Sequence, residues 1–301
     1  MKIVLAGGTG QIGRVLARAF ADDEVVVLAR SSGTRWDGRT LGPWASALDG
    51  ADALINLAGR SVDCRYTSDN RREIMDSRLE STAVLREAIL QADVPPRVWL
   101  QSSTATIYAD TYGPPNAEDG VLGAEGAPET WRFSYDVARR WEEAAADTPV
   151  RTVLMRSAMV MSPDRGGVFD TLRTLVRRGL GGPAAGGRQF VSWIHDVDFA
   201  AAIRLLIERE DLSGPVNLAA PNPLPYKDFM AALRAAEGVP FGLPATKWML
   251  ELGAFAMRTE TELVLKSRRV VPGVLTGAGF AFSFPEWPAA ARDLAARRRA
   301  S

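Results

Sequence analysis

The sequence has 301 residues, 47% of them hydrophobic and 24% charged, which is enough to bury a large core in one domain or in a domain with a smaller lobe. Its 36 Lys and Arg residues balance its 36 Asp and Glu residues, so net charge gives no reason to expect binding to nucleic acid or to an acidic surface. A single cysteine excludes an internal disulfide and a cysteine-rich metal site.

The first 30 residues have the pattern of a strand, a helix and a second strand. Ile3–Ala6 and Val25–Leu28 are apolar runs of strand length, and the glycine-rich stretch Gly7–Gly13 opens a helical pattern between them. Glycines permit a tight turn, a close approach to a pyrophosphate and close helix–strand contact. The helix N-terminus adds N–H donors and partial positive charge. The pattern predicts a dinucleotide site, and the alternative is an ordinary glycine-rich turn.

The residue that ends the second strand bears on which dinucleotide binds. Folds that prefer NAD usually place Asp or Glu there to bond the ribose 2′-hydroxyl. This chain has Arg30, whose guanidinium can bind a 2′-phosphate through two parallel hydrogen bonds. The sequence therefore predicts NADP as the cofactor; the alternative is a solvated arginine.

Further strands and helices alternate up to residue 156. A short strand at Thr34–Trp36 precedes a fourth strand that runs into a small-residue turn, Ala53–Gly59, where a cofactor can approach the backbone. The next elements are a helix over Ser68–Gln91, a strand from Val98 that ends in the polar cluster Gln101–Thr104, a helix over Trp131–Ala146 and a strand over Thr152–Arg156. The loop Asp110–Thr130 is long enough to be a functional lid or disordered. The alternation predicts a Rossmann-type, doubly wound parallel sheet covered on both faces.

After Ser162 the alternation becomes less regular, which predicts a smaller, mostly helical lobe. We expect a cofactor domain over residues 1–161 and a substrate lobe over residues 162–301 at the carboxyl edge of the sheet, with residues 188–220 returning to the first domain. The expected elements are strands at Val191–Ile194 and Val216–Leu218 in the main sheet, a helix over Asp196–Glu208, a helix from Pro225 and a strand at Phe280–Phe284.

Three groups of residues are candidates for chemistry. The hydroxyls of Ser102–Tyr108 follow the carboxyl end of a strand, where open α/β sheets bind ligands, although they could equally cap the strand and the next helix. Tyr135 and Arg139 share a helix face, so the cation could stabilise a phenolate; the alternative is two surface residues. His195, beside an apolar run, is more typical of a structural histidine. No cluster has metal-ligand spacing, so no metal is expected.

Together these segments resemble the extended and atypical short-chain dehydrogenase/reductases, the NAD(P)-dependent epimerase/dehydratase superfamily. The carriers are the 7–13 glycine stretch, Asn56–Gly59, Ser103–Tyr108, Arg156–Val160 and Trp193–Asp196. The chain is more specifically similar to the "epimerase family" branch with its own C-terminal domain. That likeness covers nearly the whole chain and includes Glu73–Arg78, Trp141–Glu142, Gly179–Gly182 and Gly214–Pro223.

The resemblance implies roles for individual residues. It places the pyrophosphate on the first turn and helix, at Gly7, Thr9, Gly10, Gln11, Ile12 and Gly13. It gives Arg30 the 2′-phosphate and lines the rest of the cofactor with Leu57, Ala58, Gly59, Glu73, Arg78, Ala158, Met159 and Val160. Thr104 falls on the catalytic Ser/Thr of the superfamily. The Tyr-x-x-x-Lys pair of the superfamily is present only as Tyr135 and Arg139, and an arginine cannot pass a proton onward.

Two functions therefore remain open at this point. The first is an NADP-dependent oxidoreductase or epimerase that acts on a small polar substrate, with Thr104 and Tyr135 stabilising the substrate oxygen. The second is a non-catalytic NADP-binding protein that reports redox state, which the missing lysine favours. No apolar run reaches the ~20 residues that span a bilayer. The core strand begins at Ile3 with no space for a signal peptide, so we expect a cytoplasmic monomer or homodimer.

Overall fold

The computed structural model of the chain describes residues 1–245 and 262–300. Its strands are β1 (Lys2–Ala6), β2 (Glu24–Ala29), β3 (Thr34–Arg35), β4 (Ala53–Asn56), β5 (Val98–Thr104), β6 (Arg151–Ser157), β7 (Met159–Met161), β8 (Phe190–Val191), β9 (Trp193–His195), β10 (Gly214–Leu218) and β11 (Leu224–Pro225). Its helices are α1 (Gln11–Ala19), α2 (Ser68–Gln91), α3 (Glu129–Ala144), α4 (Val168–Arg177), α5 (Asp196–Glu208), α6 (Tyr226–Glu237), α7 (Glu262–Leu265), α8 (Gly273–Gly277) and α9 (Trp287–Ala300). Short 3₁₀ turns lie at Pro43–Leu48 and Ala105–Ile107.

Seven parallel strands form the main sheet in the order β10-β6-β5-β4-β1-β2-β3. Successive residues of β1 point to opposite faces, so Ile3 and Leu5 lie in a different core cluster from Val4 and Ala6. Residues of α1 and α5 pack on the first face, and residues of α2 pack on the second. The predicted doubly wound sheet with helices on both faces is therefore confirmed.

β10 is the outer strand of this sheet beside β6. The pairing of Val216 with Met155 and of Leu218 with Ser157 confirms the prediction that Val216–Leu218 returns to the main sheet. β10 also carries Pro215, which has no backbone N–H. Proline is typical of edge strands, because only one side of such a strand needs its donors.

The prediction that Val191–Ile194 joins the main sheet is wrong. β8 pairs antiparallel with β11, and β9 pairs with β7, so each forms a separate two-stranded sheet. Ser192 separates the two short strands, and its hydroxyl donates to the Arg268 carbonyl (2.8 Å) and accepts from the Val270 amide (2.8 Å). The run is divided because its two ends pair with different strands, Phe190–Val191 with β11 and Trp193–His195 with β7.

The predicted strand at Phe280–Phe284 is also wrong, because this segment is irregular. The amides of Ser283 and Phe284 donate to the two carboxylate oxygens of Asp198, at 2.7 and 2.9 Å. The buried Asp198 side chain thus replaces the ladder partner that a strand would need.

The part of the chain after β10 is mostly helical among the described residues. Trp287 of α9 is buried, stacks on Phe229 of α6 with ring centroids 4.1 Å apart, and meets Trp193 edge-on. Residues 246–261 of the predicted lobe lie outside the described residues. None of the described helices is long and apolar enough to cross a bilayer.

The predicted lid, residues 110–130, is tied to the body of the protein. Glu118 accepts hydrogen bonds from the amides of Asn217 in β10 (2.9 Å) and Val274 in α8 (3.1 Å). Asn116 exchanges backbone hydrogen bonds with Arg269 and Val271. These contacts bring residues 266–274 to the loops at the carboxyl end of β5.

Candidate cofactor and substrate site

The turn after β1 lies directly against the turn after β4. Gly7 has φ +77° and donates its amide to Leu28 O (3.0 Å). A Cβ atom on Gly7 would lie 2.8 Å from Ala58 Cα, which is too close for any side chain. The two turns thus form one glycine-lined surface at the carboxyl edge of the sheet.

α1 begins on this surface with its first amides open. The N-cap is Gly10, which has no side chain to accept from them, and an α-helix leaves its first N–H groups without internal partners. A Cβ atom on Gly13 would lie 2.1 Å from Gly8 O, so only glycine lets the helix sit this close to the turn. Thr9 O accepts from Arg14 Nη1 (3.0 Å), and Ile12 packs on the core below.

Gln11 adds a buried donor at the same place. Its Nε2 atom is buried and has no hydrogen-bond partner within residues 1–245 and 262–300. An orphaned donor, open helix amides and a cradle that any Cβ would fill together fit a diphosphate. The residues present at this turn therefore suit a dinucleotide.

Arg30 follows β2 directly and is exposed. In the described part of the chain its guanidinium has no carboxylate or other hydrogen-bond partner. Arg30 lies at the same edge of the main sheet as the Gly7 turn, because both follow the carboxyl ends of neighbouring parallel strands. A cation in this position is available to an anionic group on the adenosine half of a dinucleotide.

A buried polar network holds the turn after β4 in place. Asn56 Oδ1 accepts from the Ala58 amide (3.0 Å), and Asn56 Nδ2 donates to Gln101 Oε1 (2.9 Å) and to Thr82 Oγ1 (3.2 Å). Trp141 Nε1 also donates to Thr82 Oγ1 (3.1 Å). The backbone at Leu57 and Ala58 is thereby fixed from below by side chains of β4, β5, α2 and α3.

Arg78 of α2 lies under Gly59. A Cβ atom on Gly59 would be 3.1 Å from Arg78 Cζ, and the guanidinium lies 4.9 Å from the Trp141 ring centroid. Its Nη1 donates to Arg60 O (3.1 Å) and Ile74 O (2.9 Å), and burial lowers the pKa of Arg78 to about 10. Glu73 is exposed one turn earlier and forms an ion pair of 2.9 Å with Arg60.

Thr104 is the last residue of β5, opposite Ser157 of β6. Its Oγ1 accepts from the Thr106 amide (3.2 Å) and lies 3.1 Å from Thr106 Oγ1, so it caps the 3₁₀ turn at residues 105–107. The Thr104 hydroxyl thus caps the turn, and it also lies at the carboxyl end of β5, where a ligand donor was predicted.

Tyr135 of α3 packs on the same turn. Its half-buried ring lies against a cluster formed by Ala105, Ile107, Tyr108, Ala138, Ala219 and Val270, with Ala158 beside it. Arg139 is partly exposed and forms an ion pair with Glu143, one turn farther along α3. The structure thus places Tyr135 and Ala158 against the cluster that includes Ala105, the residue after Thr104, and engages Arg139 elsewhere.

Residues 158–160 continue from β6 across this edge. The Ala158 amide donates to Leu218 O (3.0 Å), and Met159 and Val160 belong to β7, which pairs with β9. Met159 is half-buried, whereas Val160 packs into the core. Ala158 and Met159 therefore line the edge between β5 and the C-terminal part.

Three charged residues that the sequence analysis missed enter this site from residues 262–268. Lys266 Nζ donates to Thr106 O (2.8 Å), and Arg268 Nε donates to Thr106 Oγ1 (3.3 Å). Glu262 accepts from Ser134 of α3 (2.6 Å) and forms an ion pair of 3.4 Å with Arg268. Glu262 and Lys266 are 3% and 2% exposed, so these charges are buried against the turn after Thr104.

Lys266 has an altered basicity in this position. Burial lowers the pKa of Lys266 to about 8, and the Arg268 charge acts in the same direction, whereas Glu262 and Asp110 oppose the shift. The side chain therefore stays mostly charged at pH 7 and loses its proton in mildly alkaline solution. The sequence pattern does not predict this lysine, because its contact with Thr106 joins residues 160 positions apart.

Arg156 is a further buried cation, which lies under the carboxyl ends of the strands. Arg156 of β6 bonds both carboxylate oxygens of Glu142 (2.9 Å each) and the Tyr108 hydroxyl (3.0 Å), and Ser103 donates to Glu142 as well. Burial would lower the pKa of Arg156, but the bonds to Glu142 and Tyr108 outweigh it and raise the pKa. This network is internal and fixes β5, β6 and α3 together.

His195 lies away from these groups and has structural partners. Its Nδ1 accepts from the Val197 amide (3.2 Å), its Nε2 lies 3.1 Å from Asp293 Oδ2, and its ring stacks on Phe284. Burial lowers the pKa of His195. Within the described ranges, no group of three or more His, Cys, Asp or Glu residues could hold a metal ion.

Comparison with protein families gives two matches along the chain. Residues 3–219 match the NAD dependent epimerase/dehydratase family, and residues 245–294 match a domain of unknown function, DUF1731. The bovine epimerase family protein SDR39U1 is 31% identical over 308 residues, which cover 98% of this chain and all of that protein.

Solved structures give a similar result. The human epimerase family protein SDR39U1 (isoform 2), crystallised with NADPH, superimposes with a TM-score of 0.85 at 28% identity, covering 98% of this chain and 99% of that one. A nucleoside-diphosphate sugar epimerase from Corynebacterium glutamicum has a TM-score of 0.74 at 25% identity, covering 98% of this chain and 58% of that one.

Proposed function

The chain belongs to the NAD dependent epimerase/dehydratase family, and on that premise we propose that it is an NADP-dependent oxidoreductase or epimerase. Its substrate is a small polar molecule with a carbonyl or secondary hydroxyl group, such as a sugar nucleotide. The similarity to a nucleoside-diphosphate sugar epimerase supports this substrate class. Fold alone does not determine chemistry, so the proposal rests on the site residues.

The observation that carries the proposal is the contact of Gly7 with Ala58 at the open start of α1. This surface accepts a diphosphate because it combines unpaired amides, a buried Gln11 donor and glycines without side chains. We assign the pyrophosphate to residues 7–13, the backbone of Leu57–Gly59 to the adjoining part of the cofactor, and Ala158–Val160 to the nicotinamide side. Glu73 and Arg78 support the Gly59 turn from α2.

Arg30 selects NADP over NAD in this proposal. It is exposed and has no carboxylate partner in the described residues, so its guanidinium is available to a 2′-phosphate. The human relative that was crystallised with NADPH supports the same cofactor.

Thr104 holds the substrate oxygen through a chain of hydroxyl groups. Arg268 Nε donates to Thr106 Oγ1, which lies 3.1 Å from Thr104 Oγ1. The Thr104 hydroxyl donates to Thr106 Oγ1 in the structure. Hydroxyl hydrogens rotate, so on substrate binding the Thr104 hydrogen can turn to the substrate oxygen while Thr106 donates to Thr104 instead. The Arg268 charge then polarises both hydroxyls toward negative charge that develops on the substrate oxygen. Tyr135, packed beside this turn, is the second donor.

NADP supplies hydride chemistry at its nicotinamide ring when it is bound. The residues of this chain bind and orient the reactants and stabilise charge on the substrate oxygen. Lys266, whose pKa is lowered to about 8 by burial, keeps positive charge beside the Thr104–Thr106 turn at neutral pH. We also propose that the protein is cytoplasmic, because its single cysteine suits a reducing compartment.

Cofactor titration followed by a turnover assay tests the proposal. Calorimetry should give a dissociation constant for NADPH, and reduced nicotinamide absorbance should fall when aldehydes, ketones or keto-sugar nucleotides are added. Absence of NADPH binding would overturn the assignment of the site.

A second function, NADPH binding without catalysis, is favoured by one observation. Arg139, which occupies the position of the catalytic lysine in the superfamily pair, bonds Glu143 and cannot relay a proton. Tight NADPH binding combined with no turnover across the substrate panel would support this second function.

A further inference from the structure

We propose that the N-terminus of α4 forms the second half of the diphosphate site and binds the phosphate on the nicotinamide side. This inference rests on the proposed cofactor. It adds a binding element from the middle of the chain to the glycine turn near the N-terminus.

α4 begins in the same way as α1. Its N-cap is Gly167, whose backbone is extended (φ −88°, ψ 174°) and which carries no capping side chain. The amides of the first turn are therefore open, because no side chain or carbonyl within the described residues accepts from Val168, Phe169 or Asp170. The ten-residue helix adds the partial positive charge of its dipole at this end.

The two helix starts meet at Gln11. A Cβ atom on Gly167 would lie 2.1 Å from Gln11 Nε2, so the Gln11 amide lies directly against the Gly167 backbone. This Nε2 is the same buried donor that lacks a partner in the described part of the chain. Two sets of open N–H groups and one orphaned amide thus converge, and all three need an acceptor with several oxygen atoms.

The loop before α4 is fastened to α1. Asp164 forms an ion pair of 2.8 Å with Arg18, and its amide donates to Ser162 Oγ (3.3 Å). The other carboxylate near the helix start, Asp170, accepts from the Gly166 amide (3.0 Å) and from Arg298 Nε (3.1 Å). Both carboxylates are paired with an arginine, so their repulsion of an anion at Gly167 is reduced.

The position of α4 in the chain indicates which phosphate it reaches. It follows β6 and β7, whereas the residue proposed for the 2′-phosphate, Arg30, follows β2 on the far side of β1. A dinucleotide that crosses the sheet edge from β2 toward β6 presents its nicotinamide-side phosphate to α4. The adenosine-side phosphate lies nearer to the first turn.

Val168→Pro is the variant that tests this site. Val168 is the first residue of α4, where proline fits a helix and removes only one N–H group, and the extended backbone of Gly167 suits the residue before a proline. Because a hydrogen bond to a charged group is lost, the dissociation constant for NADPH should rise about tenfold or more. Binding of 2′,5′-ADP, which lacks the nicotinamide-side phosphate, should not change.

Ser68→Pro is the matched control. Ser68 is the exposed first residue of α2, after Thr67 with an equally extended backbone, so it tests proline at another helix start. It should leave the affinities for both ligands unchanged. An unchanged NADPH affinity in Val168→Pro, or an equal loss for NADPH and 2′,5′-ADP, would overturn the α4 site while the cofactor assignment stands. Failure of the wild-type protein to bind NADPH would instead overturn both.

Gln11→Met provides a second test that does not depend on proline. It removes the orphaned donor and keeps the length of the side chain, so the melting temperature without ligand should stay the same or rise. The NADPH dissociation constant should rise as well. A clear fall in melting temperature would mean that the Gln11 amide caps α4 within the protein, which would contradict its assignment to the ligand.

Discussion

Lys266 Nζ donates a hydrogen bond of 2.8 Å to the carbonyl oxygen of Thr106, two residues after Thr104. The contact joins the C-terminal part of the chain to the strand end where the cofactor domain would hold its substrate. A lysine cation therefore lies at the carboxyl end of β5, although α3 has Arg139 in place of the lysine of the Tyr-x-x-x-Lys pair. Lys266 reaches the turn backbone and Arg268 reaches the turn hydroxyl, so both hold the loop that carries the candidate donor.

The stability of the protein should rise between pH 8 and 10 because of Lys266. Its pKa is about 8 in the folded protein and returns to its ordinary value near 10.5 on unfolding. Between these values the unfolded chain binds more protons, so the free energy of unfolding increases with pH, by up to about 2 kcal/mol over this range. Urea unfolding at several pH values measures the slope, and Lys266→Met should lose the contribution. Equal slopes in the two proteins would show that Lys266 does not titrate there.

Arg30 should determine the choice of cofactor. We expect NADP to bind at least about tenfold more tightly than NAD, because one charge-assisted contact contributes ~1.5–3 kcal/mol. Arg30→Ala should remove the preference and leave NAD affinity nearly unchanged. Arg140→Ala, on the exposed face of α3, makes the same change in net charge and should keep the preference. Equal calorimetric dissociation constants for the two cofactors in the wild type would contradict the assignment.

Thr104→Val should lower kcat by ~100-fold or more once a substrate is found, with little change in NADPH affinity. In the proposed mechanism the lost hydroxyl donates to the developing oxyanion, and such a donor contributes about 2.7–4 kcal/mol. Tyr135→Phe is the companion variant because it keeps the packed ring. A loss in both variants supports a Thr–Tyr pair, whereas a loss in Thr104→Val alone removes Tyr135 from the mechanism. Unchanged kcat in both would refute the catalytic assignment of each residue.

Glu142→Gln should destabilise the protein strongly. Glu142 bonds Arg156 through both carboxylate oxygens and is 11% exposed at its side chain, so its loss leaves a buried guanidinium with unbalanced charge. Removing one partner of such a pair costs about 3–5 kcal/mol. Glu143→Gln is the control, because the neighbouring carboxylate pairs with Arg139 at the surface and its loss should cost under about 1 kcal/mol. Similar unfolding free energies for the two variants would contradict the internal role of Arg156.

The sequence pattern predicted the helices and strands whose bounds depend on nearby residues. The observed helix Ser68–Gln91 has the predicted bounds, since Thr67 caps its start and the chain turns toward Pro95 after its end. The strands of the main sheet were predicted because buried parallel strands are short apolar runs. Residues 190–195 and 280–284 are also short and mostly apolar, but they bond Arg268, Val270 and Asp198, which are distant in sequence, so the local pattern does not predict these partners.

The same limit applies to the candidate site. The glycine turn was predictable because its strand–turn–helix pattern lies within 30 consecutive residues, and the close approach at Gly13 is to Gly8, five residues away. The cation near Thr104 was expected one helical turn from Tyr135, at Arg139, whereas the structure supplies Lys266 and Arg268 from the opposite end of the chain. Only the folded arrangement relates those residues to Thr106.

The edge strand β10 has a consequence for biosynthesis. β6 is complete at Ser157, but its outer neighbour begins only at Gly214, so a growing chain carries the bare backbone of β6 until some sixty further residues have been made. During that interval the strand offers a template to other nascent chains, and it lacks the proline that protects β10. A chain truncated before Gly214 should therefore aggregate in the cell. In a chain that extends past Leu218, β10 covers the outer edge of β6, and Pro215 makes β10 itself a poor template for another strand.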